Sequence, residues 1–300
     1  MLSSLELDDP RQLGPYRLLG RLGSGAMGRV YLGGSADDGP VAVRLFRSGL
    51  VREAGFRDRL AVELAAVRTV TGPRLARVVG GDPYADPPWM ATAYVPGPSL
   101  ADVVKEQGSL PGSAVTAVAA GLAEALRAIH AAGLLHKDLK PSNVLLAEDG
   151  PQVIDFGISP VAGDRLTATG AAEPVGYLSP EVVKDAPAGP PSDVFSLGAV
   201  LTFAATGKAP FGSGSLAAVF YRLTNGEPDL GRMPGSLRAL IEPCLRKDPA
   251  ARPTAADLLA ELATAAAAAP APTPDWSALR ANWVADVNLA AGPGGIGPQD

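Results

Sequence analysis

The sequence predicts an α+β fold in two lobes, a small lobe of antiparallel sheet with one main helix and a larger lobe that is mostly helical. As far as residue 95, short apolar runs of strand length are separated by glycine- and proline-rich turns, and one segment has helical spacing. Beyond Pro96-Gly97-Pro98, which cannot continue a strand, apolar residues recur at steps of three and four. The boundary between the lobes is therefore predicted between residues 95 and 96.

Composition and charge narrow the class of protein. Hydrophobic residues make up 47% of the 300 but aromatic ones only 5%, so the core must consist mainly of Ala, Val and Leu. The net charge of -5 argues against nucleic acid as the main partner. The single cysteine, Cys244, cannot form an intrachain disulfide, and charged residues interrupt the longest apolar stretch. We therefore expect a cytoplasmic protein without direct membrane insertion.

Composition also divides the chain into five parts. These are a mobile polar leader (1–14), the small lobe (15–95), the large lobe (96–264), an Ala/Pro-rich linker (265–275), and a short C-terminal helix with a disordered tail (276–300). The last part has an apolar helical face, which either packs back on the main domain or docks another protein. The residues of that face are Trp276, Leu279, Trp283 and Val287.

The small lobe opens with a glycine-rich hairpin. Strands are predicted over residues 16–22 and 29–32, on either side of Gly23-Ser24-Gly25-Ala26-Met27-Gly28. In a dinucleotide-binding fold the same glycine spacing leads directly into a helix, whereas here Val30-Tyr31-Leu32 continues as a strand. Such a hairpin can lay its backbone N–H groups over phosphates, although on its own it would equally be a plain surface turn.

Further strands are predicted over residues 41–45, 78–79 and 89–95, with a helix over 56–70. Glu63 lies beside the apolar stripe of that helix, where a lone carboxylate would ordinarily be solvated. The large lobe is predicted to contain one strand pair, 144–146 with 152–154, followed by an irregular segment, 155–181. Its helices are predicted over residues 100–107, 113–132, 192–206, 216–224, 237–245 and 254–264.

The chemistry concentrates in the stretch His136-Lys137-Asp138-Leu139-Lys140-Pro141-Ser142-Asn143. Asp138 could accept a proton, Lys140 could hold a phosphate, and Asn143 could ligate a metal ion. Seventeen residues after Asp138 comes Asp155-Phe156-Gly157, a second carboxylate suited to a hard cation.

These elements occur in a characteristic order: glycine hairpin, basic residue on the third strand, helix glutamate, H-x-D-x-K-x-x-N, D-F-G and S-P-E. In that order the chain resembles, over about residues 14–264, the catalytic domain of bacterial eukaryotic-like (Hanks-type) Ser/Thr protein kinases. The resemblance implies a protein-kinase-like bilobal fold. It also implies transfer of the γ-phosphoryl group of Mg-ATP to a protein Ser/Thr hydroxyl, including autophosphorylation, in signal transduction.

The same resemblance implies the site residues. The catalytic set would be Asp138, Lys140, Asn143, Arg44 and Glu63, and Mg²⁺ would be held by Asn143 and Asp155. ATP would lie against the glycine loop and apolar pocket walls, whose residues could otherwise be plain core. The ATP-binding set is Leu22, Gly23, Gly25, Gly28, Val30, Ala42, Arg44, Thr92, Ala93, Val95, Leu145, Ile154 and Asp155.

Further contacts implied by the resemblance are architectural. Glu181 and Arg252 would form a buried pair, and Asp193 would anchor a spine of stacked side chains. The spine residues would be His136, Phe156, Val78 and Val67. His130, at the end of an apolar helix, is interpreted as a satisfied core residue rather than a catalyst.

Three positions depart from the family pattern. Arg44 stands where lysine is usual, and its guanidinium is a larger and more rigid donor than an ammonium. Pro174 replaces a threonine, and so offers neither a hydroxyl nor an N–H. Lys137 stands where arginine is more common. Thr167 and Thr169 are candidate phosphorylation sites, or else ordinary polar loop residues.

Three functional hypotheses follow. The intact set of Asp138, Asn143 and Asp155 favours an active protein kinase, while the departures leave open a pseudokinase that binds nucleotide and signals by conformation. A small-molecule phosphotransferase is the third, although Ser179-Pro180-Glu181 and the helices after it fit a protein substrate better. We expect a nucleotide and a protein substrate as partners. The oligomeric state stays open, with a dimer among the alternatives.

Overall fold

The computed structural model describes residues 2–25, 27–158, 174–268 and 273–281, which form two compact units. Unit 1 comprises the described residues up to Val70 together with Ala76–Pro96, and unit 2 comprises Thr71–Leu75 and the described residues from Gly97 onward. The predicted α+β class is confirmed, with antiparallel sheet in unit 1 and mostly helices in unit 2.

Unit 1 is a six-stranded antiparallel sheet with two helices, in the strand order β1-β2-β3-β4-β6-β5. The helix at residues 56–67 buries the predicted stripe of Phe56, Leu60, Leu64 and Val67. The strands are β1 (Gln12–Leu13), β2 (Tyr16–Gly25), β3 (Gly28–Ser35), β4 (Gly39–Phe46), β5 (Val78–Asp82) and β6 (Trp89–Ala93), and the helices are α1 (Ser48–Val51) and α2 (Phe56–Val67).

One face of this sheet is packed, and the opposite face, called the open face below, is buried only in part. Tyr31, Val41 and Val43 are fully buried, and the rings of Tyr16 and Trp89 meet edge to face at 5.7 Å. Because side chains alternate along a strand, the residues between them point to the opposite face. That face carries the predicted nucleotide-binding residues.

Two boundaries of the predicted small lobe are wrong. The leader, 1–14, was predicted to be mobile, but Leu13 lies in the core, Asp9 is buried, and Ser3 pairs with Arg21 of β2. The polar composition of residues 1–14 does not indicate these contacts, because the partners belong to strands further along the chain. Residues 71–75 were assigned to the small lobe but pack in unit 2, where the Arg74 carbonyl accepts a hydrogen bond from Val153 N at 2.8 Å.

Unit 2 is built around the helices α4 (Gly112–Ala131) and α6 (Pro190–Thr206). Twelve residues of α6 are buried, and α4 buries Val115, Val118, Leu122 and Ile129 against its neighbours, as a core helix should. The elements are α3 (Leu100–Gln107), α4 (Gly112–Ala131), β7 (Val144–Ala147), β8 (Gly150–Val153), α5 (Pro180–Val183), α6 (Pro190–Thr206), α7 (Leu216–Asn225), α8 (Gly235–Ile241), α9 (Ala255–Ala268) and α10 (Trp276–Leu279).

Among the described residues, only α4 is long and apolar enough to cross a membrane, and 56% of that stretch is buried inside the protein. The predicted helix over 237–245 is divided, because Pro243 lacks an N–H and the chain continues as the 3-10 turn Glu242–Leu245.

The predicted linker, 265–275, starts too early. α9 continues to Ala268, since alanine has the highest helix propensity and nothing before that residue interrupts the helix. The C-terminal helix α10 is only four residues long, and Gln107 Nε2 donates to Leu279 O at 2.9 Å within unit 2. Trp283, Val287, Thr167 and Thr169 lie outside the described residues.

Candidate active site

The glycine hairpin is formed by β2 and β3, which pair as far as Gly25 opposite Gly28. β3 continues without interruption to Ser35, so the turn joins two strands and does not lead into a helix. This is the arrangement that the sequence predicted, and it differs from a dinucleotide-binding loop.

The three glycines are required for different reasons. Gly28 has φ +152°, and a Cβ there would lie 1.8 Å from the Leu45 carbonyl oxygen, so the fold itself demands glycine. At Gly23 and Gly25 a Cβ would meet nothing within 4 Å. Packing within unit 1 therefore does not explain these two glycines. Open space beside their backbone suits a ligand that must approach the amides closely, as a phosphate does.

The open face of the unit 1 sheet carries several predicted residues together. Val30 of β3 lies opposite Arg44 of β4, and Ala42, two residues before Arg44, lies opposite Thr92 of β6. All four are only partly buried, although three of them have small or apolar side chains. Leu22, on the same hairpin, is also partly buried.

The chain after Thr92 offers backbone groups. Ala93 N donates to Arg77 O at 2.8 Å, so a contact of Ala93 with adenine would have to be made by its carbonyl. Val95 follows two residues later and is partly buried. Glu63 is partly buried on α2 of the same unit.

The catalytic loop of unit 2 brings its three polar side chains together. Lys140 Nζ donates to Asp138 Oδ2 at 2.8 Å. Asn143 Nδ2 donates to the Asp138 carbonyl at 2.8 Å and to Oδ2 at 3.1 Å. Two donors therefore converge on one carboxylate oxygen and orient it. The predicted grouping of Asp138, Lys140 and Asn143 is present in the structure.

Asp155 is held next to this loop by the backbone. Ile154 N donates to Asn143 O at 3.1 Å, and Gly157 N donates to His136 O at 3.3 Å. Asp155 itself has φ +60° and Lys137 has φ +67°, which are uncommon values for residues other than glycine. Strained backbone of this kind clusters at functional sites, where the surrounding contacts maintain it.

Asp193 organises the start of the catalytic loop. It is buried and accepts hydrogen bonds from His136 N at 2.8 Å and from Lys137 N at 3.0 Å. His130 Nε2 lies 2.9 Å from the same carboxylate, so His130 is a satisfied structural residue, as expected. Burial lowers the pKa of His136, whose Nδ1 accepts from Asp138 N at 3.3 Å. The ring of His136 therefore supports the loop as a neutral group.

The other spine residues are buried within their own units: Val67 and Val78 in unit 1, Phe156 in unit 2. The predicted pair of Glu181 and Arg252 is also present. Arg252 Nη1 and Nη2 donate to Glu181 Oε1 and Oε2 at 2.7 and 2.9 Å.

The Glu181 carboxylate has a third donor that the sequence did not predict. Ser192 Oγ donates to Glu181 Oε1 at 2.6 Å, a contact that only the tertiary structure creates. Burial alone would raise the pKa of Glu181, but hydrogen bonds from Arg252 and Ser192 lower it to about 2. Glu181 is therefore ionised at neutral pH.

The donor set in unit 2 fits a hard cation that keeps water and phosphate oxygens as its other ligands. Asn143 turns its amide nitrogen toward Asp138, so its Oδ1 is the atom that could coordinate a cation. Asp155 adds a carboxylate. The described residues contain no cluster of three or more His, Cys, Asp or Glu side chains that could hold a metal ion.

The positions that depart from the family pattern are in place. Arg44 lies on the open face of the unit 1 sheet. Pro174 is the first residue of the 3-10 turn Pro174–Tyr177, a position that needs no backbone N–H.

Two predicted ATP-binding residues belong to unit 2. Leu145 lies in the β7–β8 pair and Ile154 just after it, and both are partly buried.

Comparison with known proteins places this arrangement among kinases. Residues 16–262 match the family model of the protein kinase domain. The chain is 47% identical over 266 residues to the probable serine/threonine-protein kinase PkwA of Thermomonospora curvata, covering 88% of this chain and 36% of that protein. It is 52% identical over 269 residues to the serine/threonine-protein kinase AfsK of Streptomyces coelicolor, covering 88% and 33%.

The fold has a solved counterpart. The crystal structure of Rad53 1-466 in complex with AMP-PNP superimposes with a TM-score of 0.69, covering 82% of this chain and 64% of that one at 24% identity. At that identity the likeness shows the fold alone. The chain spans about a third of the length of the two curated relatives described above.

Proposed function

The chain belongs to the protein kinase family, and from that premise we propose that it is an active Ser/Thr protein kinase that transfers the γ-phosphoryl group of ATP to a protein hydroxyl. The observation that carries the proposal is the convergence of Lys140 and Asn143 on one oxygen of Asp138. The two relatives described above are named as serine/threonine-protein kinases, which supports the same reaction class.

Phosphoryl transfer needs alignment and charge neutralisation more than covalent chemistry from the protein. We assign Asp138 to orient the attacking hydroxyl and to accept its proton as the new P–O bond forms. Lys140 and Asn143 hold that carboxylate in place. Lys140 Nζ, which can donate three hydrogen bonds, then also stabilises negative charge on the phosphoryl group in transit.

The glycine hairpin and the open sheet face of unit 1 are the proposed nucleotide-binding elements. The amides around Gly23 and Gly25 would donate to phosphate oxygens, and Val30 and Ala42 would contact the base. Asn143 and Asp155 would hold Mg²⁺, which neutralises phosphate charge when bound. Arg44 takes the place of the usual lysine as the cation directed at the phosphates, and its fork can pair bidentately with oxyanions.

The central test replaces the proposed base. Purified protein is incubated with Mg²⁺, radiolabelled ATP and a generic basic protein, beside Asp138→Asn and the exposed control Asp37→Asn. Because general base catalysis contributes about 10²–10⁴-fold, Asp138→Asn should lower transfer at least a hundredfold. Binding of ATP should persist, since Asp138 lies in the catalytic loop and not on the nucleotide-binding elements.

Two results would contradict the proposal in different ways. Wild-type protein that binds ATP but neither autophosphorylates nor labels the acceptor would refute the proposed activity. Transfer by Asp138→Asn at the rate of Asp37→Asn would refute the role of Asp138 and leave the activity standing.

A further inference from the structure

The N-terminal segment, residues 2–13, is fastened to the glycine hairpin through Asp9. The side chain of Asp9 is 0% exposed. Its Oδ1 accepts hydrogen bonds from Tyr31 Oη at 2.6 Å, Arg21 Nη2 at 2.8 Å and Arg29 Nη1 at 3.3 Å. A single carboxylate therefore links β2, through Arg21, to β3, through Arg29 and Tyr31.

The second carboxylate oxygen is also in use. Asp9 Oδ2 accepts from Glu6 N at 2.8 Å, and Arg21 Nε lies 2.6 Å away without the alignment of a hydrogen bond. Glu6 pairs with Arg21 Nη1. Burial would raise the pKa of Asp9, but the hydrogen bonds from Arg21 and Tyr31 hold it well below its usual range. The group is thus a buried carboxylate with its charge compensated.

The three side chains that Asp9 joins lie close to the glycine turn. Arg21 precedes Gly23 by two residues, and Arg29 follows Gly28 directly. Arg21 lies opposite Tyr31 in the register of the hairpin, and Arg29 lies opposite Ser24. Any change in how Asp9 holds them is therefore transmitted over one or two residues to the turn.

The hairpin needs such support at this place, because β2 is irregular there. Its register shifts between Leu18 and Gly20 and again between Arg21 and Gly23. Bulges disrupt the regular ladder locally and increase the twist of the strand. Ser3 supplies partners from outside the hairpin: Ser3 N donates to Arg21 O at 2.9 Å, and Arg21 N donates to Ser3 O at 2.8 Å.

The close approach of the segment is built into the sequence of β2. A Cβ at Gly20 would lie 2.8 Å from both Leu2 Cδ1 and Ser3 O. Only glycine admits the N-terminal segment at that distance. Residues 2–9 and the start of the hairpin therefore fit one another in backbone and in side chain.

We propose that Asp9 is a positioning residue for nucleotide binding: by joining Arg21 to Arg29 and Tyr31 across the hairpin, it holds the glycine turn where its amides meet the phosphates. The proposal rests on the proposed function in taking ATP as the ligand. In this role Asp9 acts through the three side chains that it holds. The segment from Leu2 to Asp9 is then a working part of the nucleotide-binding unit.

The test compares a ligand that has phosphates with one that lacks them. Asp9→Asn keeps the shape of the side chain but removes its charge, which loosens its hold on Arg21 and Arg29. Affinities for ATP and for adenosine are measured by calorimetry, at a temperature where each variant is folded, with Asp37→Asn as the matched control. We expect the ATP affinity to fall about tenfold, the effect of one charge-assisted hydrogen bond, while adenosine binding changes less than about twofold.

Kinetics and hydrogen exchange separate positioning from simple stability. The KM for ATP should rise with kcat at saturating ATP nearly unchanged, and amides of residues 21–29 should exchange faster in Asp9→Asn than in Asp37→Asn. Equal losses of ATP and adenosine affinity, or no change in either with unchanged exchange, would overturn the proposal. If Asp9→Asn does not fold, Arg29→Gln replaces it, since the Arg29 side chain is 47% exposed and its loss leaves Asp9 with Arg21 and Tyr31. The ratio of the ATP affinity to the adenosine affinity of Arg29→Gln then tests the proposal in the same way.

The outcome is distinguishable from a failure of the proposed activity. Wild-type protein that binds ATP but transfers no phosphate would refute the activity, while the ATP-to-adenosine ratio would still test Asp9. Should the protein bind no ATP, hydrogen exchange of the hairpin decides: unchanged exchange in Asp9→Asn would overturn the proposal, as would faster exchange in Asp37→Asn to the same degree.

Discussion

The pair between Glu181 and Arg252 supports a quantitative stability prediction, because both charges are largely withdrawn from water. The Arg252 side chain is 0% exposed and that of Glu181 is 11% exposed. The two groups form a fork of two hydrogen bonds, and Ser192 Oγ adds a third bond to the carboxylate. Glu181→Ala would leave a buried guanidinium with three backbone carbonyls as its hydrogen-bond acceptors and no carboxylate.

The magnitude follows from the loss of one partner of a buried pair, which costs about 3–5 kcal/mol. Since the backbone carbonyls still accept three of the Arg252 hydrogen bonds, we expect a value near the lower limit, about 3 kcal/mol. For a domain of this size that corresponds to a fall of roughly 6–12 °C in Tm. Adding Arg252→Met should recover much of the loss, because the double variant removes both buried charges.

The pH dependence gives a second signature. Hydrogen bonds lower the pKa of Glu181 from 4.5 to about 2 in the folded state, although burial opposes this. A folded pKa below the unfolded one means that the carboxylate stabilises the fold above the unfolded pKa. This contribution is lost as pH falls from 4.5 toward about 2. The stability difference between wild type and Glu181→Gln should therefore be constant above about pH 6 and shrink below the unfolded pKa.

The assay is urea unfolding followed by far-UV circular dichroism, whose signal comes largely from the helices of unit 2. Wild type, Glu181→Ala, Glu181→Gln and the double variant are compared at neutral pH and in a series toward acid. A loss below about 1 kcal/mol for Glu181→Ala would place the pair among surface salt bridges and refute the argument from burial. If the difference in stability between wild type and Glu181→Gln grew toward acid pH, the assigned direction of the Glu181 pKa shift would be refuted.

The remaining predictions concern the nucleotide-binding elements. Gly25→Ala should leave Tm unchanged and weaken ATP binding, because a Cβ at Gly25 meets nothing within 4 Å in the protein. Gly28→Ala should lower Tm, since its Cβ would lie 1.8 Å from a carbonyl oxygen, and thermal melts of the two variants provide the comparison. Equal Tm losses would contradict this reasoning. Arg44→Lys should retain or raise phosphoryl transfer in the radiolabel assay, because an ammonium can reach the same phosphate from the same face of the sheet. Complete loss of transfer would show that the guanidinium fork is required.

Much of the site could be predicted from local sequence. Asp138, Lys140 and Asn143 lie within six residues on one loop, so their spacing alone keeps them close, and the structure adds only the hydrogen bonds between them. The glycine hairpin is equally local, because strand pattern and glycine spacing together define a turn. The boundaries of the helices and strands differ by a few residues, where proline or alanine decides the end of a helix.

Other contacts could not be predicted from pattern. Residues 71–75 follow a helix of unit 1 yet pack in unit 2, because Val153 provides the backbone partner for Arg74. Ser192 of α6 reaches Glu181 only because the fold brings α6 beside α5, which carries Glu181. Hydrogen bonds of this kind join segments far apart in the chain, and their partners are set by packing.

By itself, the sequence determined the fold class, the order of the motifs and the residues of the catalytic loop, since these depend on periodicity and short spacings. Only the tertiary structure decided that the polar N-terminal segment belongs to the glycine hairpin. Asp9 is separated by 12, 20 and 22 residues from Arg21, Arg29 and Tyr31. A carboxylate finds such partners only when bulged strands and a close-packed glycine bring them to one buried point, and no local pattern encodes that meeting.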